Sequence, residues 1–186
     1  MDEFELRSLF FLFLFSVIGV AVVKCTKNGW PMSASSIAQT NWTGTWYGVV
    51  EAYPEGETGS GWNVTLEIGP YPIVAESCTK WRSTFTKNGV VQTIKDYRFC
   101  RGRGAEELYI DEGGGVTIAE QWINDVLVSS FKYKGVFAIH TMQMRGDILE
   151  EQTLITDDNP AIEDVVVSIR ARSIHLIKMT RLHAEV

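Results

Sequence analysis

His140, His175 and Glu120 are the residues whose types and spacing could do chemistry inside a folded core. His140 alternates with Val136, Ala138, Met142 and Met144, and His175 alternates with Ile169, Ala171, Ile177 and Met179. Side chains two apart on a strand share a face, so both imidazoles are expected on apolar walls. A histidine there either makes an internal hydrogen bond or, as a neutral imidazole, offers a ligand to haem or a metal. Haem is the one cofactor this pattern leaves open, and no metal-binding motif accompanies it. Glu120 shares a face with Val116, Ile118 and Trp122. It would orient a polar ligand group or pair with a nearby Lys or Arg. His183, near the C-terminus, is expected in solvent.

Catalytic signatures are absent from the chain. It has no Gly-x-Ser-x-Gly, His-Glu-x-x-His, Cys-x-x-Cys or glycine-rich phosphate loop. Glu150 and Glu151 are neighbours on a strand, so they face opposite ways and form no dyad. Cys25 has no defined partner to activate it. Cys78 and Cys100 lie in strand-like segments joined by a hairpin signal and are expected to form a disulfide in an oxidising compartment, two reduced neighbours being the alternative. A two-residue turn at Asn88-Gly89 would set Cys78 opposite Phe99, so pairing with Cys100 requires a bulge.

The elements that must position these groups read as strands. Segments at about 42–53, 61–69, 77–86, 90–100, 106–111, 116–124, 126–134, 136–145, 147–156 and 164–181 are separated by turn residues. Asn88-Gly89, Gly113-Gly114-Gly115, Asn124-Asp125, Lys134-Gly135 and Gly146-Asp147 are hairpin or turn signals. Asp157-Asp158-Asn159-Pro160 is expected to break the last long connection, with one helical turn available at 160–166. Ten short strands with tight turns predict an all-β fold, an antiparallel up-and-down barrel of about 8–10 strands, because closure removes exposed edges. Within it Trp62, Val64, Leu66 and Ile68 point inward, and Asn63 points outward with Thr65 and Glu67.

Bulk properties narrow the partners. The 186-residue chain carries a formal charge of −6 and no basic run, which excludes a nucleic-acid partner. Leu9–Val23 is an unbroken apolar run of 15 residues. As a helix it would reach ~22 Å, short of a ~30 Å hydrocarbon core. Gly19-Val20-Ala21 supplies small residues for cleavage after Ala21. The expected organisation is therefore a signal peptide at 1–21, a linker at 22–40 and a barrel at 41–183, in a secreted or secretory-lumen protein. The acidic start, MDEFELR, with Lys24 and Lys27 after the run, favours the alternative of a retained membrane anchor through 9–23. Asn41-Trp42-Thr43 and Asn63-Val64-Thr65 are N-glycosylation sequons that suit export.

The opening segment NWTGTWYG (41–48), with Gly44-Thr45-Trp46, resembles the first strand of the lipocalins and the wider calycin superfamily. The resemblance implies that Trp46 packs across the closed end of the barrel under a basic residue of the last strand, here Arg181 or Lys178. The family's second motif is matched only in part, at Thr156-Asp157-Asp158. The short 54–60 loop leaves no room for a helical lid, and no helix is expected after the last strand. The chain is in these respects similar to the fatty-acid-binding and nitrobindin branch. What this implies is a carrier of a small hydrophobic ligand. Its interior would be formed by Trp46, Trp62, Leu66, Trp81, Phe85, Trp122 and Met142, with Glu120, His140 and His175 as polar groups. An isomerase or lyase acting on a lipid or pigment, or a haem-binding barrel, is the alternative on the same scaffold.

Overall fold

The computed structural model describes residues 40–55, 58, 60–162 and 168–183. The apolar run, the linker up to residue 39 and Cys25 lie outside them. A 3-10 turn, Thr40–Trp42, leads into ten strands. They are β1 (Gly44–Tyr53), β2 (Trp62–Ile68), β3 (Cys78–Lys87), β4 (Val90–Arg101) and β5 (Leu108–Gly113). The second half comprises β6 (Val116–Ile123), β7 (Val126–Tyr133), β8 (Val136–Arg145), β9 (Ile148–Ile162) and β10 (Ser168–Leu182). Every neighbour pair is antiparallel, and β1 pairs with both β2 and β10, so the sheet closes as an up-and-down barrel.

The turn chemistry explains the register. Asn88, Asn124 and Lys134 sit at φ of 50°, 57° and 46°, each in a two-residue hairpin turn. That geometry twists in the same sense as the strands it joins. The β3–β4 hairpin contains the bulge that the cysteine spacing demands. Thr86 pairs with Val91 but Phe85 pairs with Thr93, so Gln92 is the extra residue. The shift brings Cys78 opposite Cys100, and the two form a disulfide.

Alternation turns one face of each strand inward, and the core lies at one end of the barrel. Trp46, Val64, Leu66, Leu127, Met142, Leu149 and Met179 are essentially fully buried there. The Nε1 of Trp46 donates to the Trp42 carbonyl at 2.8 Å, and Trp42 packs edge-on to Trp122. Arg181 lies directly opposite Trp46 in the β1–β10 ladder, with its guanidinium carbon 4.2 Å from the indole centroid. It also donates to the carbonyls of Asn41 and Thr43, tying the entering chain to the floor. Gly44 sits at φ +141°, a backbone conformation that L side chains rarely adopt, and a Cβ there would displace the Arg181 guanidinium 2.5 Å away. Lys178 is three residues from Arg181, so it falls on the opposite, exposed face.

The end of the barrel opposite this floor departs from the sequence expectation. Asp157–Pro160 does not break the chain, because β9 runs on to Ile162. Pro160 pairs with Ile169 at one of three register shifts between β9 and β10. A bulge tolerates a residue with no N–H to give to the ladder, so the partner strand overrides the local breaker signal. Residues 160–162 are therefore strand, and the rest of the expected helical turn lies outside the described residues. Ile169 and Ala171, expected to face inward, are exposed in this irregular stretch.

Candidate functional site

Above the floor the barrel encloses a cavity of about 320 Å³. Trp81, Phe85, Tyr97, Phe131, Ile110, Ile118 and Ile177 form its apolar wall. A polar band crosses the remaining strands. Ser129, His140, Thr153 and His175 are successive register partners on β7, β8, β9 and β10. Directly paired residues of an antiparallel ladder project to the same side, so the four stand in one row facing the lumen. One layer nearer the floor, Met142 pairs with Glu151, and Glu151 pairs with Ile177.

Three ionisable groups of this band are coupled. The His140 Nε2 lies 3.3 Å from Glu151 Oε1, and each side chain is about a fifth exposed, 19% and 20%. Burial opposes charging of His140, but the hydrogen bond and charge of Glu151, with Glu120 behind it, prevail and raise its pKa. Burial likewise opposes ionisation of Glu151, and the bond to His140 prevails to lower it. Glu120 is 6% exposed. Burial pushes its pKa up to about 7, against the opposing pull of His140 and a hydrogen bond from Ser129. Among the described residues its Oε2 has no hydrogen-bond partner.

The wall is low on one side. Among the described residues β4 pairs with β5 over Arg98–Arg101, and β6 pairs with β7 over Gln121–Ile123. The β5–β6 hairpin turns at Gly113–Gly115, while β4 continues to Val90 and β7 to Tyr133. The edges of β4 and β7 therefore flank a notch above the glycine turn. Lys95, Tyr97, Glu112 and Phe131 border the cavity on this side. The Lys95 ammonium lies over the Phe85 ring at 5.5 Å. The Tyr97 hydroxyl is pushed up, first by burial and then by the charge and hydrogen bond of Glu112.

Of the residues expected to line an interior site, Trp81, Phe85, Glu120, His140, Met142 and His175 border this cavity. Leu66 and Trp122 lie at the floor, where the Trp122 Nε1 donates to the Tyr71 hydroxyl at 3.1 Å. Trp62 stands at the end of β2 away from the floor, with its Nε1 bonded to the Thr58 carbonyl and Lys87 over its ring. Trp46 and Arg181 form the floor. Asn41 is exposed and Asn63 half-buried. Glu151 is legible in the sequence, since adjacent glutamates on a strand face opposite ways and one of Glu150 and Glu151 must face inward. Ser129, Thr153, Lys95 and Glu112 gave no signal beyond strand parity. No group of three or more His, Cys, Asp or Glu side chains that could hold a metal occurs among the described residues. Comparison with known proteins finds no matching family model, curated sequence or solved structure.

Proposed function

We propose that the protein is an exported, lipocalin-like carrier that holds a small, largely apolar molecule with a polar head. The observation that carries this reading is the cavity itself, about 320 Å³, with aromatic and aliphatic walls on one side and a polar band on the other. Ligand sites commonly enclose ~300–1,000 Å³ and combine apolar lining with a few converging polar groups. The floor supports the calycin assignment, since Trp46 lies under Arg181 as that resemblance implies. The Cys78–Cys100 disulfide suits an oxidising compartment. Glycans at Asn41 and Asn63, and cleavage near Ala21, belong to the same reading. Glycosidase treatment and N-terminal sequencing of the cell-produced protein test both.

The cavity is tested with N-phenyl-1-naphthylamine, a neutral dye whose fluorescence rises in apolar surroundings. The expected result is saturable 1:1 binding. Thr153→Phe, which places a ring in the lumen between His140 and His175, should abolish it while the fold persists. No saturable binding, or equal binding by Thr153→Phe, refutes the carrier reading. One observation favours a second reading, an isomerase or lyase. A carboxyl titrating near 7 beside a His–Glu pair is suited to move a proton at neutral pH. Turnover of a bound lipid or pigment, lost in Glu120→Gln, would identify that activity.

A further inference from the structure

We propose that the polar head recognised in this cavity is a protonated amine, held by the carboxylate of Glu120. This rests on the carrier reading and names the chemical class of its ligand. Glu120 is 94% buried in the cavity wall; Ser129 supplies one hydrogen bond, and its Oε2 has no partner among the described residues. A buried carboxyl oxygen without a donor is costly. A ligand N–H directed at Oε2 removes that cost.

The charges facing Glu120 select the sign of the head group. Around the lumen stand Lys95 and Tyr97 of β4, Glu112 of β5, His140 of β8, Glu151 of β9 and His175 of β10. Three carboxyls therefore border the cavity. Of the cation-forming groups, His140 is engaged by Glu151 at 3.3 Å, Lys95 lies at the notch over Phe85, and His175 stands beyond Thr153 in the polar row. A ligand carboxylate would face Glu120 and Glu151 and find the His140 imidazole already engaged by Glu151. A ligand ammonium meets an unpaired carboxyl oxygen, with Trp81 and Phe131 in the wall around it. The rise of the Glu120 pKa to about 7 fits a carboxyl whose burial outweighs the pull of His140 and the hydrogen bond from Ser129. Below that pH, docking of an ammonium expels the Glu120 proton to solvent, and the ligand keeps its own. The cavity volume suits a body of about two fused rings, entering over the Gly113–Gly115 turn.

The test uses the full chain and three probes that share one ring system: 1-naphthylmethylamine, 1-naphthylmethanol and 1-naphthoic acid. Each competes with N-phenyl-1-naphthylamine. The amine should bind about tenfold or more tighter than the alcohol, the increment of a charge-assisted hydrogen bond, and the acid should bind weakest. Between pH 6 and pH 8 the amine affinity should rise about tenfold as Glu120 ionises. Glu120→Gln should bring the amine to the level of the alcohol in the same variant and flatten the pH response of the amine. An acid that binds as well as the amine overturns the inference, as does an amine preference that survives Glu120→Gln. If dye and alcohol bind without amine preference, this inference falls and the carrier reading stands. If none of the four compounds binds, the carrier reading itself falls.

Discussion

Glu120 makes stability depend on pH in a direction opposite to the usual acidic residue. Its carboxyl titrates near 7 in the folded barrel and near 4.5 when unfolded. Between those values the folded state holds a proton that the unfolded state has released, so stability falls as pH rises. At about 1.4 kcal/mol per pH unit, the full cost above pH 7 is about 3 kcal/mol, of which about 2–3 falls between pH 5 and pH 8. His140, whose pKa is also raised, contributes stability that is complete below 6.5 and lost as pH climbs through its folded value. It therefore acts in the same direction. Glu151, lowered by His140, loses its contribution below 4.5, outside this window. Urea unfolding at pH 5, 6, 7 and 8 of the wild type and Glu120→Gln isolates the Glu120 contribution. The variant's stability relative to wild type should grow by about 2–3 kcal/mol across the series, because an amide has no proton to lose. Parallel curves would mean that Glu120 is ionised throughout, and the account of an unpaired buried carboxyl would be refuted.

The floor and the disulfide give further expectations. Trp46→Ala should cost ~3–5 kcal/mol, since it removes a fully buried indole and leaves the Trp42 carbonyl without its donor. Trp62→Ala, at a half-buried position away from the floor, should cost about 1–2 kcal/mol and leave dye affinity within about twofold; paired denaturation curves and one titration check both variants. Replacing Cys78 and Cys100 together by Ser should lower stability by about 3 kcal/mol, the loop-closure value for a crosslink spanning 22 residues. Thermal unfolding of the double variant beside the oxidised parent measures it.

The fold class was written in the sequence because it depends on local signals. Asn88-Gly89, Lys134-Gly135 and the other turn pairs specify hairpins, and the period-2 alternation of Trp62, Val64, Leu66 and Ile68 specifies an inner and an outer face. The odd register of Cys78 against Cys100 announced a bulge, and Gln92 is that bulge. Parity also fixed which side chains face inward, and so brought Glu120, His140 and His175 to the lumen. Parity does not say how far along the axis an inward residue lies. Trp62, Leu66 and Trp81 all face inward, yet they stand away from the floor, in it and at the cavity wall. That height follows from the stagger of ten strands, which closure sets. Closure likewise paired Trp46 with Arg181 across 135 positions of chain, carried β9 through Pro160, and left a notch where the β5–β6 hairpin is short. The diagonal approach of His140 to Glu151 and the isolation of Glu120 Oε2 arise from strand contacts that no local pattern encodes. Each is a distance between residues far apart in sequence, so the electrostatics of the site were decided only when the barrel closed.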